Sequence, residues 1–461
     1  LVIRSFAYFW RKNLALALGV AITSTVITGS LIVGDSVQQS LYDIASKRLG
    51  NTGFVMDCGD RFVTARLVQK IRETGGREVA PLLMTDGVAV AGGGRVRLNQ
   101  VNVNGVNDHF EQVVGGEGLY SRLRGDSVII SENLSQRLSV SEGEEFLLRM
   151  ERARIVPANA PFVSDADNSV SVRVFVKKIA GEKDMGAFNL KTSQTAPYNI
   201  FISLTVLQEL MELEDRVNFL LFPPVNTDYA GQIRSLVESN WALADAGFEL
   251  EEVPESEQLQ LSTGRVFIDS IVSEKLDNVP ADPRQIITYF VNSINHQDRS
   301  TPYSFVSSAT DYNPGKNRII INDWLAEDLA AQAGDTIGLK FFVIGPLREL
   351  ETDSISLMVE RVIPVEDQIG DRLLMPEIPG LSDAGNCRDW ETGVPVDLEA
   401  IRDKDEAYWT RWKGTPKAFI HSALAVKHWS NRFGNATAFR FNGNKLSRES
   451  LEAEIMDRIT L

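Results

Sequence analysis

The sequence predicts an α+β protein, with one N-terminal transmembrane helix followed by two tandem related α+β modules outside the membrane. Three observations predict it. Residues 13–34 carry no ionisable side chain; two later stretches recur at constant offsets of 191 and 219 residues; and the net charge of −15 divides into +3 before residue 13 and −18 after the apolar run. A length of 461 residues suits an anchor and two modules at roughly 100 to 200 residues per domain.

The anchor comes first. Residues 1–50 comprise a cytoplasmic N-terminus, the helix at about 13–34 and a stalk. At about 1.5 Å per residue, the run from Asn13 to Gly34 gives roughly 33 Å of helix, enough to cross a hydrocarbon core of about 30 Å once. Arg4, Arg11 and Lys12 precede it and Asp35 follows it, so the positive-inside rule places the N-terminus in the cytoplasm and the bulk of the chain outside. A cleaved signal peptide would need a shorter apolar region and a small-x-small exit, for which Ile32-Val33-Gly34-Asp35-Ser36 is poor. A lipoprotein anchor is excluded, because the nearest cysteine is Cys58, and a soluble core helix would show a polar face. Within the span, Gly19 and Thr23, Thr25 and Gly29, and Ser30 and Gly34 are small residues four apart, a spacing that lets another helix approach closely. Val37, Leu41 and Ile44 then continue at helical spacing, which predicts the stalk.

The exterior divides at internal repeats, into a first module at 51–250 and a second at 251–461. VIISENLSQRLSVSEGEEFLL at 128–148 matches IIINDWLAEDLAAQAGDTIGL at 319–339, aligning Ile129 with Ile320, Leu134 with Leu325, Leu138 with Leu329, Gly143 with Gly334 and Leu148 with Leu339. Each copy reads as strand, helix, turn and strand, with Ser131 and Asn322 at the favoured N-cap positions. Residues 197–222 match 416–441 in the same order, with Pro197/Pro416, Ser203/Ser422 and Phe222/Phe441 identical. Weaker echoes pair 60–71 with 264–276 and 233–241 with 451–459. Between its two blocks the second copy carries about 28 extra residues, in the stretch 371–414, whose Pro, Asp and Trp content and lack of periodicity predict a long surface loop.

Composition and motifs exclude most chemistry. A pI near 4.9 argues against nucleic-acid binding, and two cysteines cannot build a disulfide scaffold or a multi-cysteine zinc module. Ala91-Gly92-Gly93-Gly94-Arg95 lacks the Gly-Lys-Ser/Thr of a phosphate loop and reads as a hairpin turn. His109, His296, His421 and His428 show no metal-binding spacing, although His421 and His428 fall on one predicted helix. Ser135 and Ser203 lie in no nucleophile elbow. Cys58 and Cys387 lie outside the membrane, where a disulfide is permitted, but sequence does not bring them within range. Arg124-Gly125-Asp126 spells an adhesion tripeptide and reads as a turn before the next strand. Residues 380–386 hold one carboxylate, too few for a calcium loop. Asp403, Asp405 and Glu406 with Trp409 and Trp412 read as a solvated acidic face. The expected catalytic, cofactor-binding and metal residues are therefore none, and no cofactor is expected.

A family resemblance rests on these same residues. RSFAYFWRKNLALALGVAITSTVITGSLIVGDSVQQSLYDIASKRLG resembles the first membrane helix and stalk of FtsX/MacB-like ABC transporter permeases. IIINDWLAEDLAAQAGDTIGL resembles a strand–helix–Gly-Asp–strand segment of their extracytoplasmic domains. MPEIPGLSDAGNCRDW, DKDEAYW and GTPKAFI are similar to a branch of the family with large ectodomains. The resemblance implies a fold of the MacB-like periplasmic core type and a permease subunit in the cell (inner) membrane. It implies a cytoplasmic ABC-type ATPase subunit as partner, a dimer of permease subunits, and contact with periplasmic or cell-envelope proteins. ATP hydrolysis would then lie on that separate subunit, and its motion would serve export, lipoprotein release or envelope regulation. Two features depart from the family pattern: no second long apolar run precedes Leu461, and the ectodomain is duplicated. Leu1 in place of an initiating Met is expected of a fragment or trimmed chain. The alternative is a singly membrane-anchored extracytoplasmic binding or sensor protein.

Overall fold

The computed structural model describes residues 2–460 except 77, 117, 153–155, 157–168, 192, 194, 225–228, 309–311, 346–348 and 392. The chain begins with a short helix α1 (Val2–Tyr8) and then α2 (Trp10–Leu49). The first module follows as β1 (Phe54–Asp57), β2 (Val63–Thr64), α3 (Ala65–Gly75), β3 (Ala80–Ala91), β4 (Val96–Val106), α4 (Asp108–Val114), β5 (Ser127–Ser131), α5 (Glu132–Leu138), β6 (Glu145–Glu151), β7 (Ser169–Ala180), β8 (Asn199–Ser203), α6 (Leu204–Met211), β9 (Arg216–Val217), β10 (Phe219–Phe222) and α7 (Tyr229–Asn240). The second runs as β11 (Phe248–Glu252), β12 (Gln258–Thr263), α8 (Ser270–Leu276), β13 (Arg284–Ile286), β14 (Thr288–His296), β15 (Arg299–Ser307), β16 (Arg318–Asn322), α9 (Asp323–Leu329), β17 (Thr336–Ile344), β18 (Leu350–Ile363), α10 (Asp403–Trp412), β19 (Ala418–Ile420), α11 (Ser422–Trp429), β20 (Ala438–Asn442) and α12 (Arg448–Thr460).

The apolar run and the stalk form one helix. α2 spans 40 residues, roughly 60 Å, with no Pro and no buried residue, so its Leu, Ile and Val side chains face outward along the span. Among the described residues it is the one helix long and apolar enough to cross a membrane.

Six strands of the first module close into a barrel in the order β3-β4-β8-β5-β7-β6, with β6 returning to β3. The pairings β4–β8 and β5–β7 are parallel and the other four antiparallel. In the second module β14-β15-β19-β16-β18-β17 close in the same way, with β15–β19 and β16–β18 parallel. Each barrel carries a bulge at the same place: the register shifts between Val128 and Ile129 against β7, and between Ile319 and Ile320 against β18. Beside the first barrel β10 pairs with the start of β3 at Ala80–Leu82 and carries β1 on its other edge, while β12, β20 and β13 form the corresponding sheet in the second, with β11 added at its edge. The position 250/251 falls inside β11, which pairs along its whole length with β12.

Alternation fills the barrels. β6 exposes every second residue and buries Phe146, Leu148 and Met150, which meet Val101, Val103, Val174, Val176, Ile200 and Ile202. Ile319, Ile321, Leu339, Phe341, Val359 and Ile420 do the same in the second barrel. The strand–helix–turn–strand unit repeats in detail. Ser139 and Ala330 end the two helices in the left-handed region, and Glu144 and Asp335 accept from the backbone N–H of Ser141 and Gln332, each at 2.8 Å. Asn322 caps α9 through Leu325 N–H at 2.9 Å, whereas the Ser131 hydroxyl accepts instead from Asn199 N–H at 3.0 Å.

Gly143 and Gly334 turn the chain at φ +91° and +97°, and their N–H groups donate at 2.8 Å to Val176 and Val359. A Cβ at either would meet open space, so the cost of Gly143→Val or Gly334→Val is the backbone angle alone, about 1–3 kcal/mol each. Chemical denaturation of each variant should show that loss. Unchanged midpoints in both would overturn the account of these turns.

Candidate functional site

α2 ends against the first module at Gly50, a position with no room for a side chain. Lys47 and Arg48 close the last turn, a favourable position for cations at a helix C-terminus. Gly50 then takes φ +58°, and a Cβ there would lie 2.2 Å from the Val114 carbonyl oxygen and 2.8 Å from Met185 Cε. The backbone of the junction is clamped from several sides. Asn51 N–H donates to Val114 O and Gly53 N–H to Phe222 O, both at 2.8 Å; Asn189 N–H donates to Arg48 O at 3.3 Å; and Arg48 Nη1 donates to Ser193 O at 2.5 Å.

Beneath this junction lies a separate apolar core outside the barrel wall. Phe110, Tyr120, Phe188 and Phe201 pack with ring centroids 4.8–5.8 Å apart, three pairs edge to face and Phe110–Phe201 tilted, joined by Met185, Leu221 and Val113. The Tyr120 hydroxyl donates to Asp184 O at 2.5 Å; burial above all, then Asp184 and Glu111, pushes its ionisation upward. Fully buried Asn199, at the start of β8, donates from Nδ2 to Gly186 O at 2.9 Å and Phe188 O at 2.8 Å. The loop that grips the stalk is thus fastened to a barrel strand. Among the described residues the junction is held by backbone hydrogen bonds and apolar packing. Lys-Arg-Leu-Gly at 47–50 is the one sequence signal for it, since cations in a last turn followed by Gly mark a helix end.

Residues 371–414, expected as a surface loop, instead pack into the second module. Leu374, Ile378, Leu381, Trp390, Val394, Ile401, Tyr408 and Trp409 are buried, most of them in the barrel's own core cluster. Arg440 of β20 is 3% exposed and holds the start of the segment. It donates to Asp371 Oδ1 at 3.1 Å, Gly370 O at 2.8 Å and Gln260 Oε1 at 3.0 Å.

The cluster read as a solvated acidic face is also corrected. Asp403 is exposed, but Asp405 is buried and accepts from Arg402 Nε and Nη2 at 2.7 Å, and Glu406 accepts from Cys387 N–H at 3.2 Å. Trp409 is buried and Trp412 half-buried. Arg402 also reaches Asp328 at 2.7 Å; burial opposes ionisation of that carboxyl, but hydrogen bonds from Lys404, Thr301 and Arg402 hold it below its ordinary range. Lys417, 4% exposed, sits 4.1 Å from the Trp324 ring, 4.7 Å from that of Tyr408 and 3.9 Å from Asp405. Burial lowers its amine to about 8, against the pull of Asp405. The adjoining cavity of about 20 Å³, lined by Tyr303, Trp390, Tyr408 and Lys417, has room for about one water.

The remaining singled-out residues are scattered. His109 Nε2 accepts from Arg72 at 2.6 Å; His296 donates to Leu329 O at 3.1 Å; His421 stands at the N-cap of α11 and accepts from Ala423 N–H; and His428 lies 3.1 Å from Asp353. Ser135 donates to Val140 O, Ser203 stands at the N-cap of α6, and Arg124-Gly125-Asp126 forms the turn into β5, closed by Ser127 Oγ on Arg124 O at 2.6 Å. Gly92–Gly94 joins β3 to β4 as a hairpin. Among the described residues no group of three His, Cys, Asp or Glu side chains is placed to hold a metal.

Cys58 and Cys387 are free thiols packed with different cores. Burial foremost, with neighbouring carboxylates, pushes both up to about 12. An unfolded thiol ionises near 8.5, so their contribution to stability is complete below that pH and is lost as pH rises towards about 12. Lys417 acts in the opposite sense, because its folded value lies below the unfolded one of about 10.4, and stability rises across that window. Urea midpoints against pH should therefore fall less steeply above pH 9 in a Cys58→Ala/Cys387→Ala variant than in the parent. Parallel curves would refute the assignment.

No protein-family model and no curated protein matches the chain. Solved structures resemble part of it, among them two exterior domains of ABC-type transporters. The extracellular domain of the noncanonic ABC-type transporter YknZ from Gram-positive bacteria is 13% identical, covering 38% of this chain and 78% of that one at a TM-score of 0.24. The periplasmic region of MacB from Actinobacillus actinomycetemcomitans is 10% identical, covering 43% and 86% at 0.27. Likenesses of this size assign no residue a role.

Proposed function

We propose that the chain is the first membrane span and exterior of an FtsX/MacB-like ABC transporter permease, which receives motion from a cytoplasmic ATPase and delivers it outside the membrane. The observation that carries this reading is the continuity of α2: one unbroken helix runs from the apolar span to a junction clamped by backbone hydrogen bonds to the first barrel. A helix resists bending and transmits displacement, whereas a flexible tether does not. The N-terminus lies in the cytoplasm, with Arg4, Arg11 and Lys12 on that side. The two modules, 51–250 and 251–461, descend from one duplicated unit, a reading supported by the shared strand order and the bulges 191 residues apart. Chemistry on ATP belongs to the partner, and permease subunits pair as a dimer, with envelope proteins as exterior partners.

The test uses the full chain in its native membrane. An ATP-hydrolysing subunit should co-purify with it, and inserting four Gly/Ser residues between Ser40 and Leu41 should abolish the exterior response while leaving ATP hydrolysis and co-purification intact. If no ATPase accompanies the chain, or if the insertion leaves the response unchanged, the reading fails. The singly anchored sensor would then stand in its place.

A further inference from the structure

The segment before the span forms a shape and charge distribution that its role as an anchor does not use. At 100° per residue, α1 turns Val2, Ile3 and Phe6 to one side and Arg4, Ser5 and Tyr8 to the other. The helix breaks at Phe9 (φ −100°, ψ 23°), where the Tyr8 and Phe9 rings meet edge to face at 4.9 Å. An open notch of about 600 Å³ results, lined by Val2, Ser5, Phe6, Phe9, Lys12 and Asn13. Val2, Phe6 and Phe9 give it an apolar wall; its rim carries the Lys12 ammonium, 5.5 Å from the Phe9 ring, the Ser5 hydroxyl and the Asn13 amide. Arg11 lies over the Trp10 ring at 5.6 Å.

Residues 1–34 carry three cations, Arg4, Arg11 and Lys12, and no carboxylate side chain. At a membrane surface that imbalance is met by lipid phosphate. The aromatic residues Phe6, Tyr8, Phe9 and Trp10 belong to the headgroup level, where an apolar body and a polar edge are both satisfied. We infer that this notch is a binding site for one anionic phospholipid, with the phosphate against Lys12 and Ser5 and the acyl chain along Val2, Phe6 and Phe9. A nucleic acid or a free phosphate would leave the apolar wall exposed; a lipid covers both parts.

The inference rests on the membrane reading of α2, and one experiment separates the two. Of the chain's seven tryptophans, Trp10 alone adjoins the span. The full chain is reconstituted in phosphatidylcholine bilayers, and Trp10 quenching is compared for phosphatidylglycerol and phosphatidylcholine with brominated acyl chains. Preferential quenching by the anionic lipid is expected, with the preference falling about five-fold in Lys12→Gln. Lys47→Gln, at the far end of α2, should leave it unchanged, and inorganic phosphate should not displace the lipid. Equal quenching by both lipids, or an unaltered preference in Lys12→Gln, overturns the site while leaving the membrane reading intact. No quenching by either lipid overturns the membrane reading itself.

Discussion

Gly50→Val is expected to detach the stalk from the first barrel while the barrel stays folded. Two independent costs act at this position. The backbone there adopts φ +58°, which a β-branched residue adopts only with strain, and the new side chain would start 2.2 Å from a carbonyl oxygen held by Asn51 N–H. Relief requires breaking the clamp formed by Val114, Asn189 and Ser193, a local loss of about 3 kcal/mol. Cleavage that tracks the opened population should then rise roughly a hundred-fold. The measurement is trypsin cutting after Lys47 and Arg48 in the full chain in detergent, read beside denaturation of the barrels. Unaltered cutting would show that the junction is not the rigid coupling described. A matching loss of barrel stability would show that the two are not separable.

Arg440→Met is expected to give the largest global loss in the second module. The substitution removes the guanidinium that lies 3.1 Å from Asp371 and leaves that carboxylate, 5% exposed, buried beside an apolar side chain. Breaking a buried pair from one side costs about 3–5 kcal/mol, whereas replacing both members by apolar residues is often near neutral. Melting should therefore fall by roughly 10 °C in Arg440→Met and largely recover in Arg440→Met/Asp371→Leu. A double variant as unstable as the single one would assign the loss to the hydrogen bonds with Gln260 and Gly370 rather than to the charge. A single variant that melts like the parent would remove the pair from any role in holding the 371–414 segment.

What could be read in advance follows the range of the interactions concerned. The strand–helix–turn–strand units were legible because Leu134 and Leu138, or Leu325 and Leu329, share a helix face by local spacing, and the Gly143 and Gly334 turns need backbone freedom wherever they occur. The helical run through Val37, Leu41 and Ile44 was legible for the same reason. The 371–414 segment was not. Its buried residues Leu374, Leu381 and Trp390 are presented by 3₁₀ and irregular turns and Trp409 by the short helix α10, so they share no period, and the core they join is built on strands far away in sequence. Acidic Asp405 looked solvated because the cations that neutralise it come from both near and far: Arg402 is three residues away and Lys417 twelve.

Sequence alone determined the apolar helix from Asn13 to Gly34, its helical continuation through Val37, Leu41 and Ile44, the charge asymmetry about that run and the strand–helix–turn–strand units at 128–148 and 319–339. These depend on composition and on spacings within a few turns of chain. Tertiary structure decided that six strands close in each module, that the stalk ends in a glycine seated against Val114 and Met185, and that an aperiodic segment joins a core. Each of those is a contact between residues tens to more than a hundred positions apart, made by shape and charge complementarity that no local pattern encodes.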